Sequence, residues 1–532
     1  MLLKCRYLSQ FSISELSKNA VSISSAIEKC PFMAHARRTL ASTSTPLDHS
    51  IRNCPRSETD NLVPFNCTDT IDCPFFKQVE NLKLNKIIRK RSEHNLVEHH
   101  NHNESKLRLN LHRQKRKLHE NSDLFDYEKF FNQKIDDKKK DGSYRYFKKV
   151  IRHAETFPRI QEYAEENVKD ITIWCSNDYL GLGRHPYVQS KVTEAVWKYG
   201  AGSGGTRNIS GSSPLHYKLE EELARLHQKE SALLFTSCYV ANDTTLYTLA
   251  RMLPKCHILS DEGNHASMIQ GIRNSGIPKT IFKHNDCEHL ESLLQKLPTD
   301  DPKIVAFESV HSMDGSICDL HRMCDITHKY GGIAFIDEVH AVGLYGETGA
   351  GIGERDSALE KMDIITGTLG KAFGNIGGYI AASSNLIDTV RSFGSGFIFT
   401  TSLPPSVLTG SMASIEISRS DEGRELRAKH QLYARIVKER LIRVGFPVMN
   451  SPSHIVPVMV GDVKAAGEIC DRLLNDHGIY IQSINYPTVA KGEERLRIVP
   501  NPHHTMEMID NLVHGLTDAW TKTGLRLNKM KF

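Results

Sequence analysis

From about residue 121 the chain alternates short apolar, β-branched runs with longer stretches whose apolar residues return every three or four positions. The short runs predict strands at 171–175, 232–236, 256–259, 303–309, 332–337, 363–366 and 378–382. The longer ones predict helices, as at 214–229, where Leu215, Leu219, Leu223 and Leu226 mark one face. A stretch with aromatics on one side, opening at Asp126, predicts another. Strands alternating with helices imply an α/β fold with a mainly parallel sheet covered on both faces. After Pro404-Pro405 a long helical region is predicted to about 445. Strand-like runs at 454–460 and 495–499 and a closing amphipathic helix follow, giving a smaller α+β C-terminal domain. No internal repeat is present. Ligands of open parallel sheets bind beyond the carboxyl ends of the strands, so unusual residues at those ends carry the functional signal.

The first 120 residues lack this pattern. Residues 1–47 hold six Lys and Arg, only two acids and nine serines, a basic, Ser-rich start that matches a mitochondrial transit peptide. The compact apolar core of a secretory signal is missing. Residues 48–120 read as a basic linker: positions 81–120 alone carry eleven Lys and Arg and six His. Such a segment buries too little apolar surface to offset its ordering entropy and is expected to be disordered. A run such as His99-His100-Asn101-His102 is of a metal-binding type. No Cys or acid joins it at regular spacing, so a solvated linker is expected and no metal site is predicted.

Charge sharpens this division. The whole chain of 532 residues is +5, but residues 1–120 carry +8 and residues 121–532 carry −3. A nucleic-acid binder keeps its basic excess on the folded part, and this chain does not. No apolar run is long enough to span a membrane. Of the 12 cysteines, five lie before residue 74, and three of these precede proline, at Cys30, Cys54 and Cys73. A thiolate is an axial ligand for haem iron, and the Pro beside it, followed by Phe at Cys30 and Cys73, suits a chain turned against a porphyrin. These three cysteines are candidate haem-regulatory sites. The seven later cysteines sit in apolar segments, as reduced core residues do.

Four segments carry candidate chemistry. Lys371 lies among glycines (TGTLGKAFG, 366–374) just after an apolar strand, suited to a Schiff base because a desolvated amine has a lowered pKa. Asp337 ends the strand GIAFID and can hold a pyridine nitrogen protonated, with His340 three positions on. Ser237, Cys238 and Tyr239 stand where a strand runs into a helix start, a place for a phosphate. His265, in DEGNHAS, is placed to lie flat on an aromatic cofactor.

In this order and spacing the segments resemble pyridoxal-phosphate enzymes of the aspartate-aminotransferase fold (fold type I). More narrowly, they resemble the α-oxoamine synthases, which condense an amino acid with an acyl-CoA. The motifs SNDYLGL (176–182), GAGSGGTR (200–207), DEVH (337–340) and the Lys371 segment carry that likeness. TRNISG (206–211), FTTSLPP (399–405) and RLRIVP (495–500) resemble the branch that opens haem biosynthesis by joining glycine to succinyl-CoA, with release of CoA and carbon dioxide. The likeness runs from about 125 to 525. It implies pyridoxal 5'-phosphate on Lys371, with Lys371, Asp337 and His265 catalytic. It further implies Tyr179, Ser237, Cys238, Tyr239, Ser312, His340 and Thr368 around the cofactor, and Thr400 and Thr401 on the phosphate of a neighbouring subunit in a homodimer. Arg497 and Asn177 are implied at glycine, Arg145 and Thr206 at the succinyl carboxylate, and Ser260, Arg273 and Lys279 at the acyl-CoA. Haem as a regulatory ligand, mitochondrial import, and a place in the matrix, free or associated with the inner membrane, go with the same likeness. The expected organisation is a transit peptide at 1–47, a linker at 48–120, an N-terminal segment at 121–175, a large cofactor-binding domain at 176–420 and a small domain at 421–532.

Two rival readings share much of this set. Another α-oxoamine synthase, such as a glycine acetyltransferase, has the same lysine, aspartate and histidines and differs in acyl recognition, for which Arg145 is the discriminating cation. A catalytically inactive haem-sensing homologue has no use for an intact lysine, aspartate and histidine set.

Overall fold

The computed structural model describes residues 125–164 and 167–528. The predicted leader, the linker and the three Cys-Pro sites lie outside them. A helix at Tyr127–Lys140 comes first, followed by Val150–Ile151 (β1), Arg159–Ala164 (β2) and Asn167–Ile173 (β3). The central sheet is built from Ser231–Phe235 (β4), His257–Asp261 (β5), Lys279–Phe282 (β6), Lys303–Glu308 (β7), Gly332–Asp337 (β8), Ile364–Thr368 (β9) and Gly378–Ala382 (β10). Val456–Met459 (β11), Ile479–Tyr480 (β12), Gln482–Ile484 (β13) and Arg495–Ile498 (β14) complete the strands.

The seven central strands lie in the order β4-β10-β9-β8-β7-β5-β6. All neighbours are parallel except β10, which runs antiparallel to both β9 and β4. The sheet is covered on both faces, which explains its unbroken apolar strands. On β7, Val305 and Phe307 pack into one buried cluster while Ile304 and Ala306 pack into another. On β8 the same alternation puts Ala334 and Ile336 on one face and Phe335 on the other. A further core gathers Trp174, Val456, Val458, Leu496, Ile498, Leu512 and Trp520 around β11 and β14. It brings Arg497, on β14, toward the central sheet.

The strand expected at 232–236 is Ser231–Phe235, and the one at 378–382 has those bounds. The single helix expected from 405 to 445 is two, Pro405–Arg419 and Asp421–Val444. Ser420 ends the first and caps the second by accepting a bond from the Gly423 backbone N–H. Strand β6 has no counterpart among the expected strands. It is an edge strand with three of its four residues exposed, so no buried periodicity marks it. Strands β1, β2, β12 and β13 were likewise not expected. The seven cysteines among the described residues are free, five of them buried. No helix of the described residues is long and apolar enough to cross a membrane.

Candidate active site

The carboxyl ends of β5, β7, β8 and β9 converge on one site. Strand β9 delivers Lys371, whose Nζ lies 2.7 Å from Nε2 of His340. On the other side of that ring, Nδ1 is 2.8 Å from the Tyr179 hydroxyl. Arg497 closes the group: its Nη2 donates to the Tyr179 oxygen at 3.1 Å and its Nε to the Ser312 carbonyl at 2.8 Å. Asn177 is at the edge, with Oδ1 3.5 Å from Arg497 Nη1.

Burial and the nearby Arg497 cation lower the Lys371 amine from 10.5 to about 8, with Asp337 and Glu308 opposing. His340 is held neutral, first by burial and then by the cations of Lys371 and Arg497. A lysine that is half neutral near pH 8 against a neutral imidazole can give and take protons.

Asp337 lies deeper. Its Oδ2 accepts from Asn242 Nδ2 at 2.7 Å and its Oδ1 from the Val339 backbone N–H at 2.8 Å. Asn242 also donates to Ser267 Oγ at 3.0 Å, and that oxygen is 2.8 Å from His265 Nδ1. A continuous set of bonds thus fixes Asp337 and His265 relative to each other. Burial lowers the His265 pKa against the pull of Asp337. Glu308, which pairs with Asp337 in the β7–β8 register, is pushed well up by burial and then by Asp337. It accepts a bond from the Ser312 N–H at 3.2 Å.

The helix Cys238–Met252 starts at the same place. Ser237 caps it, accepting from the Val240 N–H at 3.2 Å. The backbone N–H groups of Cys238 and Tyr239 have no acceptor among the described residues. Such a helix start takes an anion. Strand β10 passes so close that a Cβ on Gly378 would stand 2.1 Å from the Cys238 nitrogen, so only glycine fits there. Thr368 Oγ1 donates to the Gly377 carbonyl and accepts from the Gly370 N–H, each at 3.1 Å. A lowered amine, a deep carboxylate, a fixed imidazole and an open helix start together fit pyridoxal phosphate.

The other candidate residues stand apart from this group. Thr206 and Thr401 form a β-bridge with each other, beside Thr400. Arg145 donates to Thr488 Oγ1 at 3.1 Å on the exposed side. Arg273 and Lys279 are exposed, on a helix end and on the edge strand. Ser260 is buried, its hydroxyl accepting from Asn264 Nδ2 at 2.9 Å. Asn242, Ser267, Glu308 and Thr488 were not singled out in the sequence. The signal for Glu308 was there, an acid closing an apolar strand as Asp337 does.

Fold and site together define a pyridoxal-phosphate enzyme of fold type I, and the aminotransferase class I and II family model matches residues 169–516. The chain is 57% identical over 405 residues to the non-specific mitochondrial 5-aminolevulinate synthase of Bos taurus, covering 76% of this chain and 63% of that one. To the erythroid-specific mitochondrial 5-aminolevulinate synthase of Homo sapiens it is 56% identical over 406 residues, covering 76% and 69%. The match thus spans just under two thirds of the first of these relatives. The chain belongs to the 5-aminolevulinate synthase family. Among solved structures, a serine palmitoyltransferase from S. paucimobilis has a TM-score of 0.68 at 27% identity, covering 74% of this chain and 97% of that one. A Sphingomonas wittichii serine palmitoyltransferase has a TM-score of 0.69 at 25% identity, covering 75% and 99%.

Proposed function

We propose that this protein condenses glycine with succinyl-CoA to 5-aminolevulinate, CoA and carbon dioxide, in mitochondria, as the first step of haem biosynthesis. The observation that carries the reading is the bonded group Lys371–His340–Tyr179–Arg497 lying beside Asp337. Bound pyridoxal phosphate supplies an electron sink for a carbanion at the glycine α-carbon.

The chain's residues do the rest. Lys371 would hold the cofactor, and its Nζ is the base for the glycine α-proton; an amine near pKa 8 is suited to that. Asp337 keeps a proton on the pyridine nitrogen. His265 would pack against the bound cofactor and would supply a proton to the substrate carbonyl oxygen. Arg497 is the cation for the glycine carboxylate, for which a guanidinium fork is the matching group, with Asn177 and Tyr179 orienting it. The N–H groups of Cys238 and Tyr239, with Ser237, hold the phosphate. Ser312, His340 and Thr368 line the cofactor.

Arg145 and Thr206 are proposed for the far carboxylate of succinyl-CoA, and Arg273 and Lys279 for its CoA part. Thr400 and Thr401 reach the phosphate of a second copy, which makes the working unit a homodimer. The folded part carries −3, so an anionic acyl-CoA is drawn by these local cations and not by net charge. Ahead of the enzyme, residues 1–47 direct import to the matrix, and Cys30, Cys54 and Cys73 bind haem as feedback.

The test is product analysis with glycine, alanine and serine against acetyl-, succinyl-, pimeloyl- and palmitoyl-CoA. 5-Aminolevulinate from glycine and succinyl-CoA alone is expected. Preference for another pair assigns the chain to a sister activity.

A further inference from the structure

Three loops on one side of the site meet at a single imidazole. Asp261 closes β5, His284 follows β6, and Asp314 lies in the turn after β7. His284 Nδ1 is 2.7 Å from Asp261 Oδ1, while its Nε2 is 3.2 Å from Asp314 Oδ2 and 2.9 Å from Ser316 Oγ. Asp261 also accepts the backbone N–H groups of Gly263 at 2.7 Å and Asn285 at 2.9 Å. The ring packs directly on the first loop: a Cβ on Gly263 would stand 2.6 Å from His284 Nδ1. Two residues after Gly263 comes His265. The third loop carries Ser312, whose carbonyl receives Arg497 Nε.

The donor atoms of Asp261, His284 and His311 lie within 4.8 Å of one another. Neighbouring ligands of a metal with bonds of about 2.1 Å are at least about 3 Å apart. The 2.7 Å His284–Asp261 contact is shorter, so it is a hydrogen bond within an ion pair.

We propose that His284 is a positioning residue that bridges Asp261 and Asp314 and so holds the His265 loop and the Ser312 loop in register. The inference rests on His265 acting against the cofactor. Burial opposes the charge, but the bonds and charges of Asp261 and Asp314 outweigh it and raise His284 from 6.5 to about 10. Its other titratable neighbour is His311, ring centroid 4.1 Å away, which burial and the His284 charge push down to about 4. His311 is therefore neutral, and Glu308 lies on its far side, 4.0 Å from Nδ1. Because the folded pKa is raised, the clamp's contribution is full below about 6.5 and lost as pH rises through about 10.

The test uses full-length holoenzyme. In His284→Gln, the visible circular dichroism of bound pyridoxal phosphate is expected to fall by about half and kcat by about tenfold, as for a displaced catalytic group. The alkaline fall of the wild-type profile near pH 10 is expected to vanish in that variant. His284→Arg, which keeps a cation, is expected to restore the dichroic band at neutral pH. In the wild-type protein, the His284 ring protons are expected to titrate near pH 10 by NMR. A normal band and unchanged pH profile in His284→Gln overturn the clamp, as does a His284 titration near 6.5 or failure of Arg to rescue. A wild-type protein with no cofactor band at all counts instead against the proposed function, and the NMR titration then still decides the clamp.

Discussion

The carboxylate of Asp337 is held by the side-chain amide of Asn242, at 2.7 Å, with both residues buried. The amide sits one helical turn inside Cys238–Met252, so the helix whose start is open to a phosphate also orients the deep acid. Asn242→Ala leaves Asp337 Oδ2 without this donor and frees Ser267. The expected cost is about 1–3 kcal/mol of stability, the usual penalty for a buried group left unpaired. Cofactor titration should show weaker binding, and kcat should fall more than the glycine KM rises. Unaltered cofactor affinity would show that Asp337 needs no such support.

Lys371 yields a prediction about pH. Burial and Arg497 lower its amine to about 8, so the neutral form dominates above that pH and not above 10.5. Cofactor-free protein should take up pyridoxal phosphate at a rate that climbs through about pH 8, and borohydride should leave the label on Lys371. Removing the cation in Arg497→Leu should move the midpoint upward. A wild-type midpoint near 10, or label on another lysine, would contradict this account of the amine.

Why was so much of this site legible in the sequence? Lys371 and His265 follow, and Asp337 ends, strands whose apolar runs are buried on both faces, and such runs are visible without a structure. The strand ends then point to the residues that follow. Asn242 was harder to find: it lies within an otherwise helical segment, and only the fold brings it to Asp337, 95 positions away. His284 was missed for a related reason, because it follows an edge strand whose exposed residues leave no periodic trace. The helix break at Ser420 leaves no mark in the sequence because its polar residues continue a helical composition on both sides.

Arg145 and Thr488 meet at 3.1 Å although 343 positions separate them. If Arg145 receives the succinyl carboxylate, Thr488 orients its guanidinium. Arg145→Leu should raise the succinyl-CoA KM by about tenfold or more, a charge-assisted bond being worth roughly 1.5–3 kcal/mol. Thr488→Val should raise it less, and glycine KM should hardly move in either variant. An unchanged succinyl-CoA KM in Arg145→Leu would remove Arg145 from substrate recognition.

The Cys-Pro sites give a prediction independent of catalysis. Replacing Cys30, Cys54 and Cys73 together by Ala should abolish haem sensitivity of import while leaving kcat of the isolated enzyme as it was. Import that remains haem-sensitive in the triple variant would place the sensor elsewhere.

Arg207 and Glu220 form a buried pair, with side chains 8% and 6% exposed and the shortest contact 2.6 Å. A second bond, Nη2 to Oε2, is 3.2 Å, and Arg207 Nε donates to Ser212 Oγ at 2.8 Å. The guanidinium lies 5.4 Å from the ring centroids of both Tyr217 and Phe397, and Glu220 also accepts the Leu234 N–H at 3.1 Å. The pair thus ties the turn after Thr206 to the central sheet at β4. Arg207→Met removes the cation and strands a buried carboxylate, which costs about 3–5 kcal/mol. Glu220→Gln keeps an acceptor for Leu234 and should cost less. Because Thr206 and Thr401 bridge next to this turn, Arg207→Met should also weaken self-association if Thr401 serves a second copy. Urea unfolding and sedimentation of the two variants check both effects. If Arg207→Met unfolds within about 1 kcal/mol of wild type, the range for an exposed pair, the bridge is not what holds the turn.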